Sequence, residues 1–346
     1  SKIKLSALRC FEAYLEVLDP KKHSHFQTLI ISIYEAVLYL IQKDSDEEGL
    51  EALSEMIEVE PKFFKKSFKE LVTLLSAIFN TPGIEGGVKR MTTEILVDFA
   101  EKSPATFRKK KEALQSTIEM IFFHMVDISE EITEEWMKPV EGYNDDMEDD
   151  EDFETTRFGM GAIDRLIYTI GEQEMLPVLS AAIELLITKP DWRCKYTAIM
   201  ALSQIGEYIE DVDKISSVLT MIVGFLRNEN PMMRYAACHA IGQISDDMQP
   251  KFQEKYGDVI FPELLYLLQS DPVPRVVSHS AAALTNFLEG MKIEQISAHL
   301  DTLVRLLLNH SINGISLVKE SALSAISSTV EIAKELYQPY LNDTLQ

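Results

Sequence analysis

Apolar residues along this chain recur at i, i+3, i+4 and i+7 in run after run, the spacing that lines one face of an α-helix. From Met175 to Glu289 the runs alternate in character. The runs MLPVLSAAIELLITK, ISSVLTMIVGFLRNE and VIFPELLYLLQS are bulky. Each is followed by a run rich in small residues: PDWRCKYTAIMALSQIGE, PMMRYAACHAIGQISDD and PVPRVVSHSAAALTNFLE. Pro190, Pro231 and Pro272 stand 41 residues apart, and Arg193, Arg234 and Arg275 keep the same step. Proline suits the first turn of a helix, where the N–H it lacks would have no partner. A two-helix unit repeating near 40 residues is the period of HEAT and armadillo solenoids. No segment sustains the period-two alternation of a strand.

The expected architecture is therefore an all-α HEAT-repeat solenoid, a right-handed superhelix of antiparallel helix pairs with about seven repeats. Outside the clearest region the pattern predicts a lone helix over 5–18, helix pairs over 23–59, 61–101, 105–172 and 292–335, and a further start at 337. The helices rich in Ala, Ser and Gly are assigned to the inner, concave layer, where side chains crowd. Asp271 with Arg275, and Asp191 with Arg193, are expected to tie one repeat to the next. The absence of an initiating Met and the abrupt end at Gln346 read as a fragment of a longer chain.

Composition sharpens this picture. Only 14 glycines and 13 prolines in 346 residues favour helix over loop. The 33 Lys and Arg against 56 Asp and Glu leave a net charge of −23, which disfavours nucleic acid and anionic membranes and favours cationic partners. Cys10, Cys194 and Cys238 are too few and too widely spaced for a disulfide framework, a usage typical of a reducing compartment. The longest apolar stretch, Leu29 to Ile41, is interrupted by Ser32 and Glu35 and reads as too short to cross a bilayer.

One segment breaks the repeat. Between a helix ending near Val126 and one starting near Arg157, residues 130–154 hold thirteen Asp or Glu and one Lys, Lys138. Its most acidic part comprises Asp145, Asp146, Glu148, Asp149, Asp150, Glu151 and Asp152. Runs of like charge extend and often act as interaction segments, although a solvated insertion with no partner has the same composition. Asn144, Asp145, Asp146, Glu148 and Asp150 carry oxygen ligands but lack the glycine of a calcium loop, so no metal is assigned. The chain is thus divided into repeats over 1–129, an acidic insertion over 130–156, and repeats over 157–346 that carry the candidate groove.

A second departure lies on the small-residue helices. Glu207, Asp247 and Asn286 fall near successive helix ends, at steps of 40 and 39 residues, and Asp164 occupies the corresponding helix one repeat earlier. A carboxylate at a helix C-terminus opposes the macrodipole, a penalty of roughly 0.3–1 kcal/mol at an exposed site. A row of such groups along a groove would hold successive lysines of an extended peptide; an ordinary polar face is the competing reading. Each exposed ion pair is worth only about 0–1 kcal/mol, so binding would need several.

No enzyme constellation is present. None of the seven histidines belongs to an HExxH helix or joins a Cys-x-x-Cys pair, and no GxGxxG or GxxxxGK[ST] loop exists to cradle a phosphate. Cys238 next to His239 reads as packing, and Lys109–Lys111 as a solvated helix end. No cofactor is expected.

The acidic segment running into RFGMGAIDRL, then PDWRCKYTAIMALSQIGE, PMMRYAACHAIGQISDD and HSAAALTNFLE, resembles the karyopherin-β (importin-β) nuclear transport receptors, most closely the karyopherin-β3 or importin-5 class. The resemblance is strongest over 151–300 and rests elsewhere on repeat order. It implies a central fragment of a superhelix that binds nuclear localisation signals of basic, lysine-rich cargo proteins and shuttles between cytoplasm and nucleus. It also implies contact with phenylalanine-glycine nucleoporins and release of cargo by GTP-bound Ran GTPase. Positions that hold lysine-rich signals in that class match Asp164, Glu207, Asp247 and Asn286, with Glu289 one turn beyond. The acidic segment is similar to the family insertion linked to Ran and cargo release. No direct nucleic-acid or membrane contact follows. The alternative is a HEAT scaffold that organises a protein complex unrelated to transport, which would require apolar patches and larger interfaces.

Overall fold

The computed structural model describes residues 2–17, 19–44, 47–139, 154–209 and 211–345. The acidic residues Asp145, Asp146, Glu148, Asp149, Asp150, Glu151 and Asp152 lie outside them. Among the described residues there is no strand, in keeping with the predicted all-α class. The chain forms two compact units, Ser1–Met125 with Phe158–Ala182, and Val126–Arg157 with Ile183–Gln346.

In the first unit, α1 (Lys2–Val17), α3 (Glu48–Val59) and α6 (Gly86–Lys102) pack side by side in one layer. The other layer holds α2 (Ile30–Tyr39), α5 (Phe68–Phe79) and α8 (Lys111–Val126). Single turns α4 (Pro61–Phe64) and α7 (Pro104–Phe107) open the chain's return across the unit, each with proline at its start. Aromatic contacts bind the helices: between the layers Phe68 stacks on Phe99 at 5.0 Å, and within the second layer Phe79 meets Phe123 edge-on at 5.1 Å. Helix α10 (Glu154–Ile170) continues the α1–α3–α6 layer; Arg90 of α6 lies 4.8 Å over the Phe158 ring, and Arg108 donates to the Ile170 carbonyl at 2.6 Å.

The stretch Lys21–Lys43 corrects one expectation, because its length and mean hydropathy of 1.3 match those of a membrane span. Its structure is that of a packed helix with one wet side. Ile30, Ile33, Tyr34, Val37, Leu40 and Ile41 are buried, whereas Ile31 and Tyr39 are exposed. Such one-sided burial is what a surface helix of a globular protein shows.

Helix α11 (Glu172–Ile187) leads to the second unit, whose repeats are the clearest. The small-residue helices α12 (Trp192–Ser203), α14 (Pro231–Asp247), α16 (Pro274–Glu289) and α19 (Ser316–Ala333) stack laterally in one layer. Helices α13 (Ser216–Phe225), α15 (Lys251–Ser270) and α18 (Leu300–Asn313) pair with α14, α16 and α19 in turn. Short turns α17 (Ile293–Ile296) and α20 (Leu341–Thr344) complete the chain. Ala198, Ala201, Ala236, Ala237, Ala240 and Ala281 are each 0% exposed, so the alanines form the seam between neighbouring helices. Gly242 is needed there: a Cβ on it would stand 3.2 Å from Ala283 Cα.

A one-turn helix, α9 (Glu134–Met137), also belongs to this unit and falls within the segment read as an insertion. Trp136 is its buried residue, with the Tyr235 ring 5.7 Å away and the Arg275 guanidinium 5.6 Å over the indole. This contact overturns the expected Asp271–Arg275 tie. Arg275 is turned inward under Trp136, and α16 starts at Pro274 rather than at Pro272. Asp271 instead pairs with Arg234 of the preceding inner helix, through Nε at 2.5 Å and Nη2 at 3.0 Å. Arg234 also donates to the Asn228 carbonyl at 2.8 Å, so it fastens the α13–α14 turn to the α15–α16 turn. Asp191 and Arg193 pair at 2.8 Å within a single turn, where Asp191 also caps α12 by accepting from the Arg193 N–H, so they tie no repeats together.

Removing one member of a buried ion pair strands the other charge, which costs about 3–5 kcal/mol. The Asp271 side chain is 2% exposed and that of Arg234 11%. Asp271→Ala, which also removes the acceptor for the Val273 N–H, is therefore expected to lower the midpoint of denaturant unfolding strongly. Asp191→Ala is expected to shift it far less, because its pair stands in solvent.

Candidate functional site

The predicted row resolves into local geometry that depends on small residues. Helix α12 ends at Ser203, so Glu207 stands not on the helix end but in a single 3-10 turn, Gly206–Tyr208, and is exposed. Asp247 is the last residue of α14. A Cβ on Gly206 would meet Asp247 Oδ2 at 2.4 Å, so glycine is what lets the carboxylate lie against the 206 backbone, beside Glu207. Gln243, one turn earlier on α14, donates from Nε2 to Asp247 Oδ1 at 3.1 Å and fixes its orientation. The Asp247 carboxyl is held above its ordinary pKa, chiefly by burial, and the Glu207 charge adds to the effect against the Gln243 hydrogen bond.

Asn286 lies in the last full turn of α16, and its Nδ2 donates across the helix seam to the Gly242 carbonyl at 3.2 Å. That contact uses one of the two amide N–H donors and leaves the side-chain carbonyl as an acceptor. Glu289, the last residue of α16, is exposed. Among the described residues no Lys or Arg forms an ion pair with Glu207, Asp247 or Glu289. Asp164 belongs to the other unit, where it is exposed on α10.

Between α14 and α16 a recess of about 150 Å³ opens, lined by His239, Gln243, His279, Ala282 and Asn286 among others. Sequence reasoning missed it, having read Cys238–His239 only as packing. The His239 and His279 rings stack at 5.8 Å, and Tyr235 lies on His279 at 3.9 Å. Burial pushes the imidazole pKa values down to about 4 for His239 and about 3 for His279, the latter also lowered by the charges of His239 and Arg275. Both rings are therefore neutral at pH 7, and the recess presents no positive charge beside Asp247 and Asn286. Cys238 is fully buried and its thiol pKa is pushed far up by desolvation, which makes it an inert packing group, as the sequence indicated. No group of three or more His, Cys, Asp or Glu able to hold a metal exists among the described residues.

The arrangement is an array of acceptors on consecutive helices of one rigid layer. Asp247 lies against the backbone of the residue before Glu207, an amide carbonyl follows one helix on, and a further carboxylate stands at the end of that helix. It has no nucleophile with an adjacent base.

Known proteins share the repeat architecture. Residues 83–177 match the family model described as Importin repeat, and residues 1–74 the model described as IPO5-like, TPR repeats. Residues 155–315 match a third, Stalled ribosome sensor GCN1-like, HEAT repeats. Importin subunit beta-3 of Saccharomyces cerevisiae is 28% identical over 350 residues, covering 99% of this chain and 32% of the relative. The crystal structure of the karyopherin Kap121p bound to the SUMO protease Ulp1p superposes with a TM-score of 0.85 at 26% identity, over 99% of this chain and 33% of that one. Kap121p bound to RanGTP gives a TM-score of 0.85 at 27% identity, over 99% and 34%. The chain spans about a third of the length of these relatives. The repeat models and the alignment along the whole chain agree with the order of helices found here: the chain is similar throughout to karyopherin-β receptors of the importin-β3 class.

Proposed function

We propose that this chain is the cargo-gripping part of a nuclear import receptor, and that it binds lysine-rich localisation signals on the acidic row of its inner helices. The observation that carries the reading is the Glu207–Asp247 pair. The Asp247 carboxylate lies against the Gly206 backbone next to Glu207, no Lys or Arg among the described residues pairs with either acid, and burial above all, with the Glu207 charge, holds the Asp247 pKa up. A lysine ammonium offers three donors and a compact charge, and one such group relieves the repulsion between both acids. Asn286 and Glu289 extend the row along α16, and Asp164 extends it on the sequence period. The neutral imidazoles beside it leave the local field negative.

The relatives support this. Kap121p has been crystallised with Pho4p, with Nup53p and with the extreme C-terminus of the protein phosphatase Cdc14p, as well as with RanGTP. A Kap121p variant with lysine in place of an Asp, a Glu and an Asp, in that order along its chain, has also been crystallised. Asp164, Glu207 and Asp247 keep that order and those residue types. By the same kinship the whole protein shuttles between cytoplasm and nucleus, touches phenylalanine-glycine nucleoporins and releases cargo to GTP-bound Ran. The scaffold reading has the GCN1-like match over 155–315 in its favour, but that match reports repeat form, whereas Importin subunit beta-3 aligns over 99% of the chain.

Titration of the full chain with a lysine-rich peptide at two salt concentrations tests the proposal. Binding is expected to weaken steeply with salt, and Glu207→Arg with Asp247→Arg is expected to abolish it while helical circular dichroism stays unchanged. Retention of wild-type affinity in that double variant would exclude the row. A second expectation concerns pH. A carboxyl whose folded pKa is raised destabilises the fold when ionised, and the penalty fades as pH falls through the folded pKa. Asp247→Asn is therefore expected to melt above wild type at pH 7, with the gap closing on acidification below the ordinary carboxylate range.

A further inference from the structure

The first unit carries a cationic edge on a chain whose net charge is −23. Three stretches take the chain from the α1–α3–α6 layer to the α2–α5–α8 layer, and each opens on a proline: the 3-10 stretch Pro20–Leu29, then α4, then α7. Residues 20–29, 61–70 and 104–113 hold ten of the 33 Lys and Arg, against two acids, Glu70 and Glu112. The first stretch brings Lys21 and Lys22, and the second Lys62, Lys65, Lys66 and Lys69. The third ends in Arg108 and the lysines at 109–111. All ten are exposed. The stretches lie side by side on one edge of the unit. Gln27 donates from Nε2 to the Phe63 carbonyl at 2.8 Å, joining the first to the second, and the Phe68 and Phe107 rings meet at 4.9 Å, joining the second to the third. The next crossing, from α10 to α11, carries Glu172 and Glu174 and no cation, so the edge ends there.

Other cations of this unit are spent within it. Arg9 donates to Glu51 at 3.1 Å and to Glu55 at 2.8 Å, and Arg165 of α10 reaches back to α6, where it holds Glu94 at 2.5 Å, Asp98 at 2.6 Å and Glu101 at 2.8 Å. Lys102 pairs with Glu58 at 2.6 Å, and Arg108 donates to the Thr169 and Ile170 carbonyls. Among the described residues, none of the nine lysines of the edge forms an ion pair or a side-chain hydrogen bond. The acids that precede them are occupied: Asp19 and Glu60 accept from the Lys21 and Lys62 backbone N–H groups, and Glu60 also faces His23 at 3.6 Å. Lys69 and Lys111 stand in the first turns of α5 and α8, at the positive end of the helix dipole, where a cation is disfavoured. Their placement therefore opposes the stability of the unit. Phe63, Phe64, Phe68 and Phe107 are buried, so the second and third stretches present charge without an exposed phenyl ring.

We propose that this edge docks an extended segment of a partner protein rich in Asp and Glu. A lysine ammonium is a compact point charge on a flexible stem, and it meets carboxylates without the fixed fork of arginine. Nucleic acid fits the edge less well. A single strand would want rings on which its bases stack, and a duplex would bring dense negative charge against the field of the whole chain. Helices packed about 8–10 Å apart set the three stretches across about 20 Å. An extended chain rises about 3.3 Å per residue, so about six residues reach from the first stretch to the third. Each contact in solvent is weak, so occupancy needs several acids together and fades with salt. The edge takes a ligand of opposite charge to that of the acidic row and does not rest on the function proposed for the row.

Titration of the full chain with dye-labelled hexaglutamate, read by fluorescence anisotropy at low and at physiological salt, tests the proposal. Saturable binding is expected at low salt and is expected to weaken steeply at the higher one. Lys65→Glu, Lys66→Glu, Lys109→Glu and Lys110→Glu together are expected to weaken it by at least about tenfold, at roughly two- to fivefold for each ion pair lost, with helical circular dichroism retained. A matched variant of equal net charge, with Lys189→Glu, Lys214→Glu, Lys251→Glu and Lys334→Glu in the second unit, is expected to bind within about twofold of wild type. Equal losses in the two variants would overturn the proposal, because net charge alone would then set the affinity. Absence of binding by wild type would overturn it too. Tighter binding of a thymidine hexanucleotide than of hexaglutamate, lost in the first variant, would give the edge to nucleic acid instead. Lysine acetylation of the unaltered protein, read by mass spectrometry, avoids substitutions altogether. Hexaglutamate is expected to slow it at Lys62, Lys65, Lys66 and 109–111 and to leave Lys189, Lys214 and Lys251 as they were. Uniform or absent protection would overturn the docking edge.

Discussion

At the seam between α14 and α16, Gly242 leaves room for Ala283 only because it has no side chain, and a Cβ there would stand 3.2 Å from the neighbouring Cα. Stacking of inner helices at this distance is what each repeat needs in order to bury its remaining apolar face, since one helix pair cannot do so alone. Small residues at the seam follow from it, and so does the reach of side chains across it. Asn286 can hydrogen-bond a main-chain carbonyl of the next helix, and Asp247 can lie on the 206 backbone. Close lateral packing thus fixes the polar groups as firmly as it fixes the core.

Once the helices are fixed, charge placement distinguishes the repeats. Where an arginine reaches the acids of the layer, as Arg9 and Arg165 do, the group is a staple between successive helices. Where the nearest partner is Gln243, the acid keeps its charge and its repulsion from Glu207. Acids recur at repeat spacing in both cases, so periodicity alone does not tell a stapled acid from one without a cation. Trp136 adds a third use of the layer: a one-turn helix from the irregular segment is seated on it by Tyr235 and Arg275.

This explains what the sequence could disclose. The all-α class and most helix positions were readable, because apolar spacing and the 41-residue step of Pro and Arg are set by the core. The helical positions of Asp247 and Asn286 were readable for the same reason, whereas Glu207 falls in a 3-10 turn past the end of α12. Partners of arginines were not. Asp271 was matched to Arg275 by nearness in sequence, yet a guanidinium arm spans repeats, and Arg234, thirty-seven residues earlier, reaches it. The Arg275 guanidinium stands over the Trp136 indole, a contact across more than a hundred residues that no local pattern encodes. The Gly206 contact left a faint signal, a glycine directly before an acidic residue at a repeat position. The histidine recess left none, because ring stacking between adjacent helices depends on their register.

The energetic character of such a row suits a carrier. Each ammonium–carboxylate contact in solvent contributes about 0–1 kcal/mol, so no single contact traps the ligand. Under the proposed function, affinity therefore rests on charges that another partner can compete for or screen. A buried apolar interface of equal strength would hold its ligand against changes in charge. A strip of acids on a helical layer, as proposed, would bind an extended basic segment through the sum of its contacts and give it up when a few of them are lost.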